Sequence, residues 1–133
     1  MLTLGFHHMA VQVHDVERAL RFYRDVLGLS ERARYLREDG SLRSVWVDVP
    51  GGGFLALEHT SSSPQASAFR TNTPGWLLLA LRIPPEARAA TEAHLAAHGV
   101  EIVHRSRWTL YLRDPEGNRI GLSHHPYDVP EAS

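Results

Sequence analysis

Nine histidines and a strand-end carboxylate dominate the reactive chemistry of this chain. The histidines occur as two adjacent pairs, His7-His8 and His124-His125, and singly at His14, His59, His94, His98 and His104; Glu58 closes an apolar run. Imidazole and carboxylate can move protons or hold a divalent ion. All 14 basic residues are Arg, and there is no Cys and no Lys. That composition removes disulfides, thiolate nucleophiles, Cys-ligated metals, Schiff-base chemistry and P-loops.

The elements that position these groups follow from periodicity. From Phe6 to Val13 the alternation is period two within a strand drawn over residues 4–13: Met9, Val11 and Val13 point one way, His8, Ala10 and Gln12 the other. His7 and His8 are therefore expected on opposite faces. Asp15 is placed as an N-cap, Val16, Ala19, Leu20, Tyr23, Val26 and Leu27 form an amphipathic stripe, and Gly28 ends the helix. Strands over 31–37 and 43–49 flank a Glu38-Asp39-Gly40 turn, and Gly51-Gly52-Gly53 leads into a strand at Phe54–Glu58.

After a polar connection at 60–75, read as a crossover or a lid, the pattern repeats. A strand at 76–83 is followed by a helix opened by Pro84-Pro85 and closed by Gly99, then by strands at 101–105, 109–113 and 118–123. Val13 matches Ile83, Trp46-Val47-Asp48 matches Tyr111-Leu112-Arg113, and Leu55-Ala56-Leu57 matches Ile120-Gly121-Leu122. The expected architecture is α+β: one domain of two βαβββ modules, 1–59 and 76–125, with helices on the outer face of a cupped mixed sheet.

The duplication, with Phe6-His7-His8-Met9-Ala10-Val11-Gln12-Val13-His14-Asp15, Phe22-Tyr23-Arg24-Asp25-Val26-Leu27-Gly28-Leu29 and Arg113-Asp114-Pro115-Glu116-Gly117-Asn118, resembles the vicinal oxygen chelate superfamily. That group includes glyoxalase I, bleomycin-resistance proteins, fosfomycin-resistance enzymes and extradiol dioxygenases. The resemblance implies that metal ligands, where present, come from the first and fourth strands of each module. The matching positions here are His8, Ala56, Leu78 and Gly121, and only His8 can bind a metal. One imidazole does not make a catalytic site, which normally takes about three protein ligands. A relocated set would have to use His8, Glu58 and His125.

Three readings follow. The first is a metal-independent pocket for an aromatic or drug-like molecule, with Ala56, Leu78 and Gly121 as an apolar floor and His8, Gln12, Trp46, Tyr111 and Arg113 around it. The second is a metal-dependent lyase, isomerase or dioxygenase with His8 and Glu58 as base or residual ligands. The third is an interaction domain closed by its own dimer partner. No cofactor is expected; the resemblance implies that modules pair, within or between subunits, to complete the cup, and a homodimer is expected. A formal charge of −1 argues against a nucleic-acid clamp. Without an apolar run of ~20 residues or a leader-like N-terminus, the expected location is the cytoplasm, away from membranes. His94 and His98 are expected to face solvent on the second helix, and His124-His125 to lie in a solvated tail.

Overall fold

The computed structural model describes residues 2–62 and 74–131. Most of the expected connection at 60–75 lies outside the described residues. The chain divides into two compact units, Met1–Gln65 and Ala66–Ser133. Each contains a mixed four-stranded sheet, as the α+β expectation requires.

In the first unit the order of elements is β1 (His8–Val13), α1 (Val16–Leu20) continued by a π-helical segment (Arg21–Val26), β2 (Ser30–Leu36), β3 (Leu42–Asp48) and β4 (Phe54–His59). Asp15 accepts a hydrogen bond from the Arg18 amide at 3.0 Å, so the expected N-cap is present. Gly28 ends the helix at φ +79°, a conformation that a side chain would oppose. The sheet order is β1-β4-β3-β2, with β1 and β4 parallel and the other pairs antiparallel. Val13, Val45, Val47, Leu55 and Leu57 are buried, as are Val16, Ala19, Leu20, Phe22 and Tyr23 of the helix. α1 packs on β3 and β4, so this apolar set is the core of the unit.

The second unit has β5 (Leu79–Arg82), a 3₁₀ turn (Pro85–Ala87), α2 (Arg88–Ala97), β6 (His104–Arg105), β7 (Thr109–Arg113) and β8 (Arg119–Ser123). Its order, β5-β8-β7-β6, repeats that of the first sheet. Leu110, Leu112, Ile120 and Leu122 are buried on one face, with Leu79 and Leu81 half-buried beside them in the β5–β8 register.

Three strand boundaries differ from expectation. β1 starts at His8 rather than near residue 4, β5 at Leu79 rather than Trp76, and β6 at His104 rather than Glu101. A strand extends only as far as its partner can hydrogen-bond to it. β8 offers β5 four paired residues, Ile120 to Ser123, and Trp76 beyond them is 93% exposed.

The Asp114-Pro115-Glu116-Gly117-Asn118 turn joins β7 to β8 around a buried carboxylate. Asp114 Oδ1 accepts from the amides of Glu116 and Asn118 at 2.9 and 2.8 Å, and Oδ2 accepts from Asn118 Nδ2 at 2.8 Å. No helix of the described residues is long and apolar enough to cross a membrane.

Candidate functional site

On the face of the first sheet turned away from α1, side chains form three rows set by the strand register. His8 lies beside Phe54, Ala10 beside Ala56 and then Trp46, and Gln12 beside Glu58 and then Ser44. Four of the expected ligand-binding residues, His8, Gln12, Trp46 and Ala56, thus share this face. Ala56 is buried, Trp46 and Glu58 are half-buried, and His8 and Gln12 are exposed.

The rings on this face touch. The His8 ring stacks on Phe54 with centroids 4.7 Å apart and planes 5° apart. Phe54 stacks on Trp46 at 4.4 Å and 22°, and Tyr35 of β2 meets Trp46 at 4.8 Å. Such distances are those of ring pairs that attract beyond their area burial. The Arg32 guanidinium lies 4.8 Å over Phe54 while its Nε bonds Asp48, and that of Arg43 lies 5.7 Å from the Tyr35 centroid. The aromatic band therefore runs across all four strands and is basic at its rim.

Two buried polar atoms on this face, Trp46 Nε1 and Ser44 Oγ, have no hydrogen-bond partner among the described residues. Ser44 is only 1% exposed. Since the great majority of buried polar atoms are paired, two orphans on adjacent rows single out this part of the sheet.

The second unit carries the other four expected binding residues, Tyr111, Arg113 and Gly121 on its sheet and Leu78 just before β5. Tyr111 pairs with Gly121 across β7 and β8, as Trp46 pairs with Ala56. A Cβ at Gly121 would lie 3.4 Å from Leu78 Cδ1 and 3.2 Å from Thr109 Cγ2, so Leu78 covers the glycine. His104 adjoins Tyr111 with centroids 5.6 Å apart. Arg113 is exposed and in register with Arg119, whose guanidinium is held below its ordinary range by desolvation first and by the Arg113 charge second.

Sequence reasoning is corrected in three places. His7 and His8 do not point apart: their Nδ1 atoms are 2.8 Å from one another, and the His7 ring also meets Phe54 at 5.7 Å. His7 precedes the first paired residue of β1, so the alternation of a strand does not bind it. His124 is not a solvated tail residue but is 2% exposed. Arg88 Nη1 donates to its Nε2 at 3.0 Å, which leaves Nδ1 to donate to the Tyr127 carbonyl at 2.6 Å. Finally, His8 and Glu58 are not neighbours. His8 is level with Phe54, four residues from Glu58, or about 13 Å along the strand. Side chains standing upright on a sheet do not close such a gap around one ion.

Phe54, Tyr35, Ser44 and Arg32 were not singled out from sequence. The parity that puts Ala56 and Glu58 on this face also puts Phe54 there, which is the signal that could have found it.

The resemblance implies a metal whose ligands come from the first and fourth strands of each unit. His8, Ala56, Leu78 and Gly121 supply one imidazole and no carboxylate, and among the described residues no three His, Asp or Glu side chains are grouped to hold an ion. These residues do not fit a divalent metal at the family's positions.

Tandem βαβββ units define a class of fold. Residues 5–122 match the model of the Glyoxalase/Bleomycin resistance protein/Dioxygenase superfamily, and the chain belongs to that superfamily. Among solved structures, a glyoxalase/dioxygenase from Nostoc punctiforme is 24% identical with a TM-score of 0.74, covering 91% of this chain and 90% of its own. Lactoylglutathione lyase from Agrobacterium tumefaciens is 23% identical with a TM-score of 0.67, covering 94% of this chain and 96% of its own. The fosfomycin resistance protein FosX from Listeria monocytogenes, complexed with Mn(II) and sulfate, is 17% identical with a TM-score of 0.72, covering 92% and 93%. At these identities the likeness is one of fold.

Proposed function

We propose that this protein binds a planar aromatic small molecule on the face of its first sheet turned away from α1, without a metal. The observation that carries the reading is the pair of orphaned polar atoms beside the ring band. Trp46 Nε1 can only donate, so it calls for an acceptor such as a carbonyl or carboxylate on the ligand. Ser44 Oγ, one row away, can take a second polar group. Trp46 and Tyr35 offer ring faces, and Arg43 at the rim favours an anion. By the internal repeat, Tyr111 and Gly121 of the second sheet correspond to Trp46 and Ala56, and with Leu78 and Arg113 they are proposed as ligand-binding residues of that unit. Binding or sequestration needs no reaction, and no step is assigned to His8 or Glu58. The homodimer that the family likeness implies is part of the proposal, and light scattering at micromolar concentration measures it.

The test is a melting-temperature screen against aromatic acids and aromatic antibiotics, with and without EDTA. At least one compound is expected to raise the melting temperature equally in both conditions. Trp46→Phe keeps the ring and removes the N–H; it is expected to weaken that compound by about fivefold, the worth of one hydrogen bond. A panel with no hit, a hit abolished by EDTA, or a Trp46→Phe variant that binds as well as the parent overturns the reading.

A further inference from the structure

Gln12, Glu58 and Ser44 form a polar row in register across β1, β4 and β3, on the face turned away from α1. Glu58 is half-buried, yet its carboxylate makes no hydrogen bond or ion pair to any described residue, and neither does the Gln12 side-chain amide. Ser44 Oγ is buried and equally unpartnered among the described residues. Charged and polar groups drawn into a protein surface are normally paired, so three unmet groups in one row call for an explanation.

The second sheet shows the same row satisfied. Its register pairs Arg82 with Ser123 and Ser123 with Thr109, as the first pairs Gln12 with Glu58 and Glu58 with Ser44. There Thr109 Oγ1 donates to Ser123 Oγ at 2.9 Å, and that oxygen also accepts from the His125 amide at 3.3 Å. Glu58 and Ser44, opposite each other in the same way, do not close on one another. The first row therefore keeps its hydrogen-bonding capacity open.

The row also restricts what it can take. Neighbouring strands lie about 4.8 Å apart, so Gln12 and Glu58 stand side by side, and the next row beside them is the small pair Ala10 and Ala56. A carboxylate only accepts, while a glutamine amide also donates. An acceptor beside a donor matches one edge of a primary carboxamide or a lactam, whose N–H and C=O leave in the same direction. A carboxylate on the ligand would instead meet Glu58 as a like charge. Resting on the reading that this face binds a planar aromatic molecule, we propose that Gln12 and Glu58 select ligands whose ring carries a carboxamide or lactam edge. Glu58 accepts the ligand N–H, Gln12 donates to its carbonyl, and the ring lies over Ala10 and Ala56. An acidic group elsewhere on the ring remains free to meet Arg43 at the rim.

The test uses calorimetry on the full chain with three probes built on one ring: naphthalene-2-carboxamide, naphthalene-2-carboxylate and N,N-dimethylnaphthalene-2-carboxamide, which keeps the carbonyl and loses the N–H. The parent is expected to bind the primary carboxamide at least about tenfold more tightly than either of the others, the worth of one hydrogen bond to a charged group. Glu58→Gln should shrink the ratio of carboxamide to carboxylate affinity by at least about fivefold, mainly by admitting the carboxylate, and Gln12→Leu should weaken the carboxamide by about fivefold. Circular dichroism confirms that both variants are folded. Equal affinity for the three probes, a preference for the carboxylate, or a ratio unchanged in folded Glu58→Gln overturns this inference and leaves the aromatic pocket standing. If none of the three binds, a hit elsewhere in the aromatic panel overturns this inference alone, and a panel without a hit overturns the pocket with it.

Discussion

Phe54 is the keystone of the ring band, and replacing it gives the sharpest test of that arrangement. Its ring is 4% exposed, lies between His8 at 4.7 Å and Trp46 at 4.4 Å, is met by His7 at 5.7 Å, and has Arg32 4.8 Å above it. Phe54→Ala removes the buried ring and leaves a cavity, which costs about 3–5 kcal/mol. Phe54→Leu restores most of the apolar area but not the ring pairs, so about 1–2 kcal/mol is expected. At about 3–5 °C per kcal/mol for a chain of this size, the alanine variant should melt at least about 9 °C lower. Urea unfolding followed by far-ultraviolet circular dichroism and tryptophan fluorescence reads both values, with an unchanged slope showing that only stability moved. A cycle of Phe54→Leu with Trp46→Leu should give a coupling of about 0.5–1.5 kcal/mol. An alanine variant costing less than about 1 kcal/mol, or an additive cycle, would refute the band as a packed unit.

Three further outcomes are expected. Asp114→Ala strands the Glu116 and Asn118 amides and Asn118 Nδ2 in the β7–β8 turn, and should cost about 2–3 kcal/mol in urea unfolding. Gly53→Ala puts a side chain at φ +81° and against the Phe6 ring and the His7 carbonyl, and should cost about 1–2 kcal/mol by the same measurement. Glu31 is held below its ordinary value of 4.5, chiefly by its hydrogen bonds from Arg34 and then by the charges of Arg34 and Arg24. Because the folded chain favours the ionised form, this stabilisation is present above pH 4.5 and is lost as the pH falls through the lowered value. Glu31→Gln should therefore flatten the stability profile below that pH, and a profile unchanged from the parent would contradict the assignment.

The sequence by itself determined the repeating elements and the face each strand residue takes. Asp15, Gly28, Gly40 and Gly99 mark ends and turns through local backbone chemistry, and period-two alternation sorts Val11 from Gln12 and Leu57 from Ala56 without reference to any distant residue. The internal match likewise paired Trp46-Ala56 with Tyr111-Gly121, as the registers show. What only the tertiary structure decided is which residues meet across strands. The parallel pairing of β1 with β4 sets His8 on Phe54 and keeps it from Glu58, and no spacing in the chain encodes that register. The burial of His124 depends in the same way on Arg88, a residue of α2 far from it in sequence. The orphaned Ser44 Oγ and Trp46 Nε1 are visible only once every neighbour is in place, because a missing partner is a property of the packed surroundings rather than of the residue.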